Sequence, residues 1–132
     1  MRTFIILATL FFAVSAHADN SIKGKVSLNA ALAAKAAPDD TVFIFARAAE
    51  GPRMPLAVTR VKVKDLPHSF TLNEAMAMSP KMSLAQFSQV KVVARVSKSN
   101  EATPHSGDLE GSSAVVKTGS KDVNVVIDAV LP

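Results

Sequence analysis

From residue 21 onward, apolar and polar positions alternate with a period of two over several short runs, the signature of half-buried strands. In residues 21–28, Ile22, Gly24, Val26 and Leu28 fall on one side, and Lys23, Lys25 and Ser27 on the other. The alanine-rich stretch 29–37 predicts a helical turn or two capped near Asn29 and stopped by Pro38. Residues 41–59, TVFIFARAAEGPRMPLAVT, organise the rest. Positions 41–48 are apolar on both faces, which suits a central strand covered on each side. Glu50-Gly51-Pro52 is the turn. Pro55 has no N–H for a ladder, so strand 56–63 is expected at a sheet edge or after a bulge. Residues 69–72 predict a short strand with Phe70 and Leu72 inward. The connection 73–89 carries Met76, Met78, Met82, Leu84 and Phe87, and is too apolar to hang free; it is expected to pack across an open end or face of the sheet. In strand 90–97, Val90, Val92, Ala94 and Val96 share one face. Residues 98–110 predict a loop, and 114–117 and 122–130 the last strands.

About seven strands with regularly spaced turns and no βαβ alternation predict an all-β, immunoglobulin-like sandwich. If Val42, Ile44, Ala46, Val92 and Ala94 face the core, then Phe43, Phe45 and Val93 point the other way, beside Arg47 and Arg95. An apolar area rimmed by arginine has the composition of a partner-binding patch. The competing expectation is that segment 73–89 covers it. Arg53, held between Pro52 and Pro55, is a further candidate for presentation to a partner.

The N-terminus changes the picture of where this domain works. Arg2, an apolar run over 4–14 and the small-residue box Ala16-His17-Ala18 predict a cleavable secretory signal over residues 1–18. Residues 19–132 are then the mature domain, periplasmic and without a membrane span. The chain has no cysteine, which excludes disulfides, thiol chemistry and a Cys-X-X-Cys haem attachment. Its net charge of +4 comes from dispersed lysines and arginines, with no Trp or Tyr for stacking, so nucleic acid is not an expected partner.

Catalytic chemistry finds little support. His68 and His105 lie beside prolines in polar turns, and no serine sits in a nucleophile motif. The chain is expected not to be an enzyme. Met76, Met78 and Met82, with His68 or His105, offer soft ligands suited to Cu(I), the alternative being a copper-binding or copper-delivery protein. Methionine is also a flexible packing residue, and core packing is the favoured expectation. Residues 107–111, GDLEG, lack calcium-loop spacing and read as a simple turn.

The segments VFIFARA, GPRMPLAV, DLP, AMAMSP, VKVVARVSKS and GDLEG, in this order, resemble the C-terminal periplasmic domain of the CycH (CcmI) cytochrome c-maturation proteins. The resemblance runs from Ile22 to Val130. It implies an immunoglobulin-like fold and a chaperone-like role in c-type cytochrome biogenesis, holding apocytochrome c or another maturation protein. Family members also carry membrane helices and a helical-repeat module, neither of which is recognisable in this sequence. The resemblance implies no catalytic residue and no cofactor.

Overall fold

Strands that bury alternate side chains need a second layer to bury them against, and this chain supplies it by folding its ribbons into two sheets. In the computed structural model, residues 21–50, 55–77 and 83–132 are described. The expected signal segment, Arg53, Met78 and Met82 lie outside the described residues. The described strands are β1 (Ile22–Leu28), β2 (Thr41–Ala48), β3 (Pro55–Lys62), β4 (His68–Leu72), β5 (Gln89–Ser97), β6 (Leu109–Ser112), β7 (Val116–Lys117), β8 (Val123–Ile127) and β9 (Ala129–Val130). The smaller sheet has the order β4-β1-β8, with β1 and β8 parallel. The larger has the order β3-β2-β5-β6-β9, and β7 pairs with the start of β5. The expected all-β, immunoglobulin-like sandwich is therefore what the chain forms.

One continuous core fills the space between the sheets. Ile22, Val26, Phe70, Leu72, Val125 and Ile127 come from the small sheet, and Val42, Ile44, Leu56, Val90, Val92 and Val96 from the large one. All are buried. As the pattern predicts, β2 is central and β3 is an edge strand opening at Pro55. The β2–β3 register also slips between Ala46 and Arg47. Asn29 caps a 3-10 helix (Ala30–Lys35), its side chain accepting from the Ala31 N–H at 2.9 Å.

The strand count differs from seven at two places. Residues 109–112, expected to be loop and turn, form β6, because Leu109 and Gly111 face inward against the second sheet. The GDLEG segment is therefore the start of a strand, not a simple turn. The expected strand 122–130 breaks at Asp128. Its first half pairs with β1 in the small sheet, and its second half with β6 in the large one. The crossing demands close approach of two backbones, and Gly111 permits it. A Cβ built there would stand 1.8 Å from the carbonyl oxygen of Val126.

The connection 73–89 packs on the core between the sheets. Leu84, in a 3-10 turn, is fully buried, and Met76 and Phe87 pack against the same cluster. None of these three side chains joins the cluster of Phe43, Phe45 and Val93, whose cover among the described residues comes from elsewhere.

Candidate partner-binding face

The period of two places Phe43, Phe45 and Arg47 of β2 on the face turned away from the core. The register of the large sheet assembles that face in rows. Arg47 lies opposite Lys91 of β5 and next to Pro55 of β3. Phe45 lies between Val58 and Val93, and Val93 meets Ser112. Phe43 lies between Arg60 and Arg95, and Arg95 meets Glu110. Phe43, Phe45, Val93 and Val58 form a second apolar cluster on this face.

Among the described residues the cover is the loop between β5 and β6, a strap over residues 98–108. Arg95 holds it down. Its Nε donates to Glu110 Oε2 at 2.9 Å, its Nη1 donates to the Ala102 carbonyl at 2.7 Å, and its guanidinium carbon sits 5.3 Å from the centre of the Phe45 ring. At the base of the strap Ser97, nearly fully buried, accepts from the Glu101 N–H and donates to its carbonyl. Asn100 adopts φ 63°, a left-handed conformation Asn tolerates, and its side chain accepts from the Thr41 hydroxyl. At the far end Asp108 is 1% exposed, and its carboxylate accepts from the Lys98 N–H at 3.2 Å and the His105 N–H at 2.9 Å. These bonds order an otherwise polar loop against the sheet. Asp108→Ala leaves two backbone donors without their acceptor. It is expected to cost about 2 kcal/mol, at one to three per unsatisfied buried group, seen as a lower unfolding midpoint and faster amide exchange across 98–107.

Between the strap and the β2–β3 end of the sheet lies a cleft of about 320 Å³, lined by Phe43, Phe45, Arg47, Pro55, Val58, Arg95, Ala102 and Pro104. A shallow depression over Phe43, Val58, Thr59 and Arg60 adjoins it. The volume is at the low end for ligand pockets and suits an apolar side chain or two. A larger hollow on the small sheet is lined by Lys23, Lys25, Lys121, Ser69, Thr71 and Asn124, with Phe70 as its one large apolar side chain.

The sequence-derived candidates thus divide. Phe43, Phe45 and Arg47 line the cleft. Val93 is fully buried beneath it, and Arg95 is spent on Glu110, Ala102 and Phe45. Lys91 shares this face by alternation with Val93 and Arg95, whereas Val58, Arg60, Ala102 and Pro104 are brought to it by strand register and the fold of the strap. The copper candidates are not gathered in this way. Met76 packs on the core, His68 is in β4, and the ring of exposed His105 meets Glu101 at 2.9 Å. Among the described residues no group of three or more His, Asp or Glu is placed to hold a metal ion. No described helix is long and apolar enough to cross a membrane.

Comparison with known proteins agrees with this fold. The family model for the cytochrome c-type biogenesis protein H Ig-like domain matches residues 22–128. The chain is 40% identical over 114 residues to the cytochrome c-type biogenesis protein CycH of Pseudomonas aeruginosa, a match covering 86% of this chain and 28% of that protein. It is 32% identical over 109 residues to an uncharacterized protein of Aquifex aeolicus, covering 83% of this chain and 71% of the other. This chain therefore spans little more than a quarter of the Pseudomonas protein's length. No solved structure matches. With nearly the whole sandwich inside the matched region, the chain belongs to the CycH immunoglobulin-like domain family.

Proposed function

We propose that this chain is a non-catalytic binding module of c-type cytochrome maturation, acting in the periplasm and holding an apocytochrome polypeptide on the outer face of its larger sheet. The family membership supports the process. The observation that carries the binding role is the cleft over Phe43, Phe45 and Val58, an apolar floor on a sheet face that the core does not use. A face turned outward normally carries polar side chains, and two phenylalanines there ask for a cover. The strap and the neighbouring side chains leave Phe43 and Phe45 each 7% exposed, and a bound polypeptide would cover that remainder together with partly exposed Val58. No cofactor enters this reading, and the thioether of Met76 is engaged in core packing.

The test is titration of the purified chain with an apocytochrome c fragment, comparing wild type with Val58→Ser and Arg47→Glu. Both positions are only partly buried, so the variants are expected to fold. Binding at least tenfold weaker, a loss of about 1.4 kcal/mol, is expected in each. Undiminished affinity in folded variants rejects the face as the site. Arg95→Glu is a poor probe, because it dismantles the strap together with any contact.

A further inference from the structure

Resting on the reading above, we infer that the cleft takes an extended acidic segment in which one apolar side chain is flanked, two residues away on each side, by carboxylates. The first observation is an uncompensated repulsion. Arg47 and Lys91 face each other directly across β2 and β5. Like charges at such positions destabilise a sheet. Neither residue, nor Arg60 at the other end of the cleft, has an acidic partner among the described residues. The one acid in these rows, Glu110, is spent on Arg95. Of the segments outside the described residues, 51–54 and 78–82 contain no Asp or Glu, and 1–20 contains one, Asp19, next to the small-sheet strand β1 in sequence. A cationic pair held together without a counter-charge calls for an anion from outside.

The second observation is spacing. Arg60 lies opposite Phe43, four positions along β2 from Arg47, with Phe45 and Val58 between. At about 3.4 Å per residue the two cationic rows are roughly 14 Å apart. An extended peptide covers that distance in four residues and turns positions i, i+2 and i+4 to one side. Acid, apolar, acid at those three positions sets carboxylates over Arg47/Lys91 and Arg60, and the middle side chain in the cleft against Val58 and the small part of Phe45 that the strap leaves open. Charge-assisted bonds to guanidinium groups fix the register, and the apolar anchor contributes the desolvated contact.

The experiment uses synthetic twelve-residue peptides titrated into the purified chain by calorimetry or anisotropy. One carries Glu-Ser-Phe-Ser-Glu at its centre. A second has Lys in place of both Glu, and a third has the acids moved next to the Phe. The first is expected to bind, with affinity falling about tenfold between 50 and 300 mM salt, and at least tenfold tighter than the other two. The triple variant Arg47→Glu/Arg60→Glu/Lys91→Glu is expected to invert the preference toward the Lys peptide while keeping the thermal unfolding midpoint. Equal binding of the three peptides, no binding of the first, or an unchanged preference in the triple variant overturns the inference. If the apocytochrome fragment still binds and still responds to Val58→Ser, that failure leaves the binding reading standing. If neither ligand responds to any change on this face, both fall.

Discussion

Gly111→Ala is expected to destabilise the domain by about 3 kcal/mol, the upper part of the range for overpacking a close-packed interior, and to lower its unfolding midpoint by roughly 12 °C. The new methyl would meet the Val126 carbonyl oxygen at 1.8 Å, its carbon at 2.5 Å and the Ile127 Cα at 2.8 Å. These are backbone atoms, so no side-chain rotation relieves the clash. They also belong to the segment that joins the sheets. β8 leaves the small sheet at Ile127, the Asp128 N–H donates to the Glu110 carbonyl at 3.3 Å, and β9 pairs with Leu109 and Glu110. Shifting β8 to admit a methyl therefore disturbs its ladder with β1 or that of β9 with β6. Gly107→Ala is the control. Its φ of +89° carries a conformational cost, but nothing lies within 4 Å of the added atom. Left-handed strain alone is about 1–2 kcal/mol. Urea or thermal unfolding of the two variants separates the effects, and a Gly111→Ala penalty no larger than that of Gly107→Ala would mean that the backbones do not need this approach.

Gly111 also marks the limit of what was legible in the sequence. The interior strands announced themselves through period and composition. Residues 41–48 and 90–97, rich in Val, Ile, Phe and Ala, are β2 and β5, the neighbours at the centre of the large sheet. Pro55 announced an edge, and β3 is one. The sandwich, its central pair and most of its core follow from such local signals. The sheet switch at Asp128 has no such signal, because Val123, Val125, Ile127 and Ala129 keep the same apolar parity across it. A strand that changes partners midway looks in sequence like one long strand. β6 was hidden for the opposite reason. Four residues containing Glu110 and Gly111 lack the apolar density of a strand, and they pair because β5 and β9 flank them.

The face divides along the same line. Alternation places Phe43, Phe45, Arg47, Val93 and Arg95 on one side of the sheet without knowledge of any other strand. Which of them meets solvent depends on a loop whose composition reads as plain coil. The strap buries Arg95 and leaves Arg47 half-exposed, though the two stand in matching tripeptides, Phe45-Ala46-Arg47 and Val93-Ala94-Arg95. Arg60 and Lys91 look in sequence like ordinary solvated strand residues. Only register sets one opposite Phe43 and the other opposite Arg47.

Arg95→Met is expected to cost about 2–3 kcal/mol and to release the strap, although it preserves the apolar stem of the side chain. Removing one member of a fully buried ion pair typically costs 3–5 kcal/mol, because the remaining charge is left in a poor solvent. Here the Arg95 side chain is 9% exposed and that of Glu110 25%, so water recovers part of the loss and the figure is reduced accordingly. The variant also leaves the Ala102 carbonyl without its donor and Phe45 without the cation above its ring. The consequences are local before they are global. Amide exchange should accelerate across 98–107 while the β2 and β5 amides at the sheet centre stay protected relative to the new global stability. Arg95→Met/Glu110→Gln tests the cause. If the stranded carboxylate dominates, the double variant recovers at least 1 kcal/mol of the single variant's loss and still shows the mobile strap, since Ala102 remains unanchored. Full recovery of strap protection in the double variant would shift the anchoring role from the Arg95–Ala102 bond to the Asp108 end of the loop. A freed strap also uncovers Phe45, so the Arg95→Met protein should bind hydrophobic dye more strongly than wild type at temperatures where both are folded. Unchanged dye binding would show that the strap keeps its place over the ring without the guanidinium.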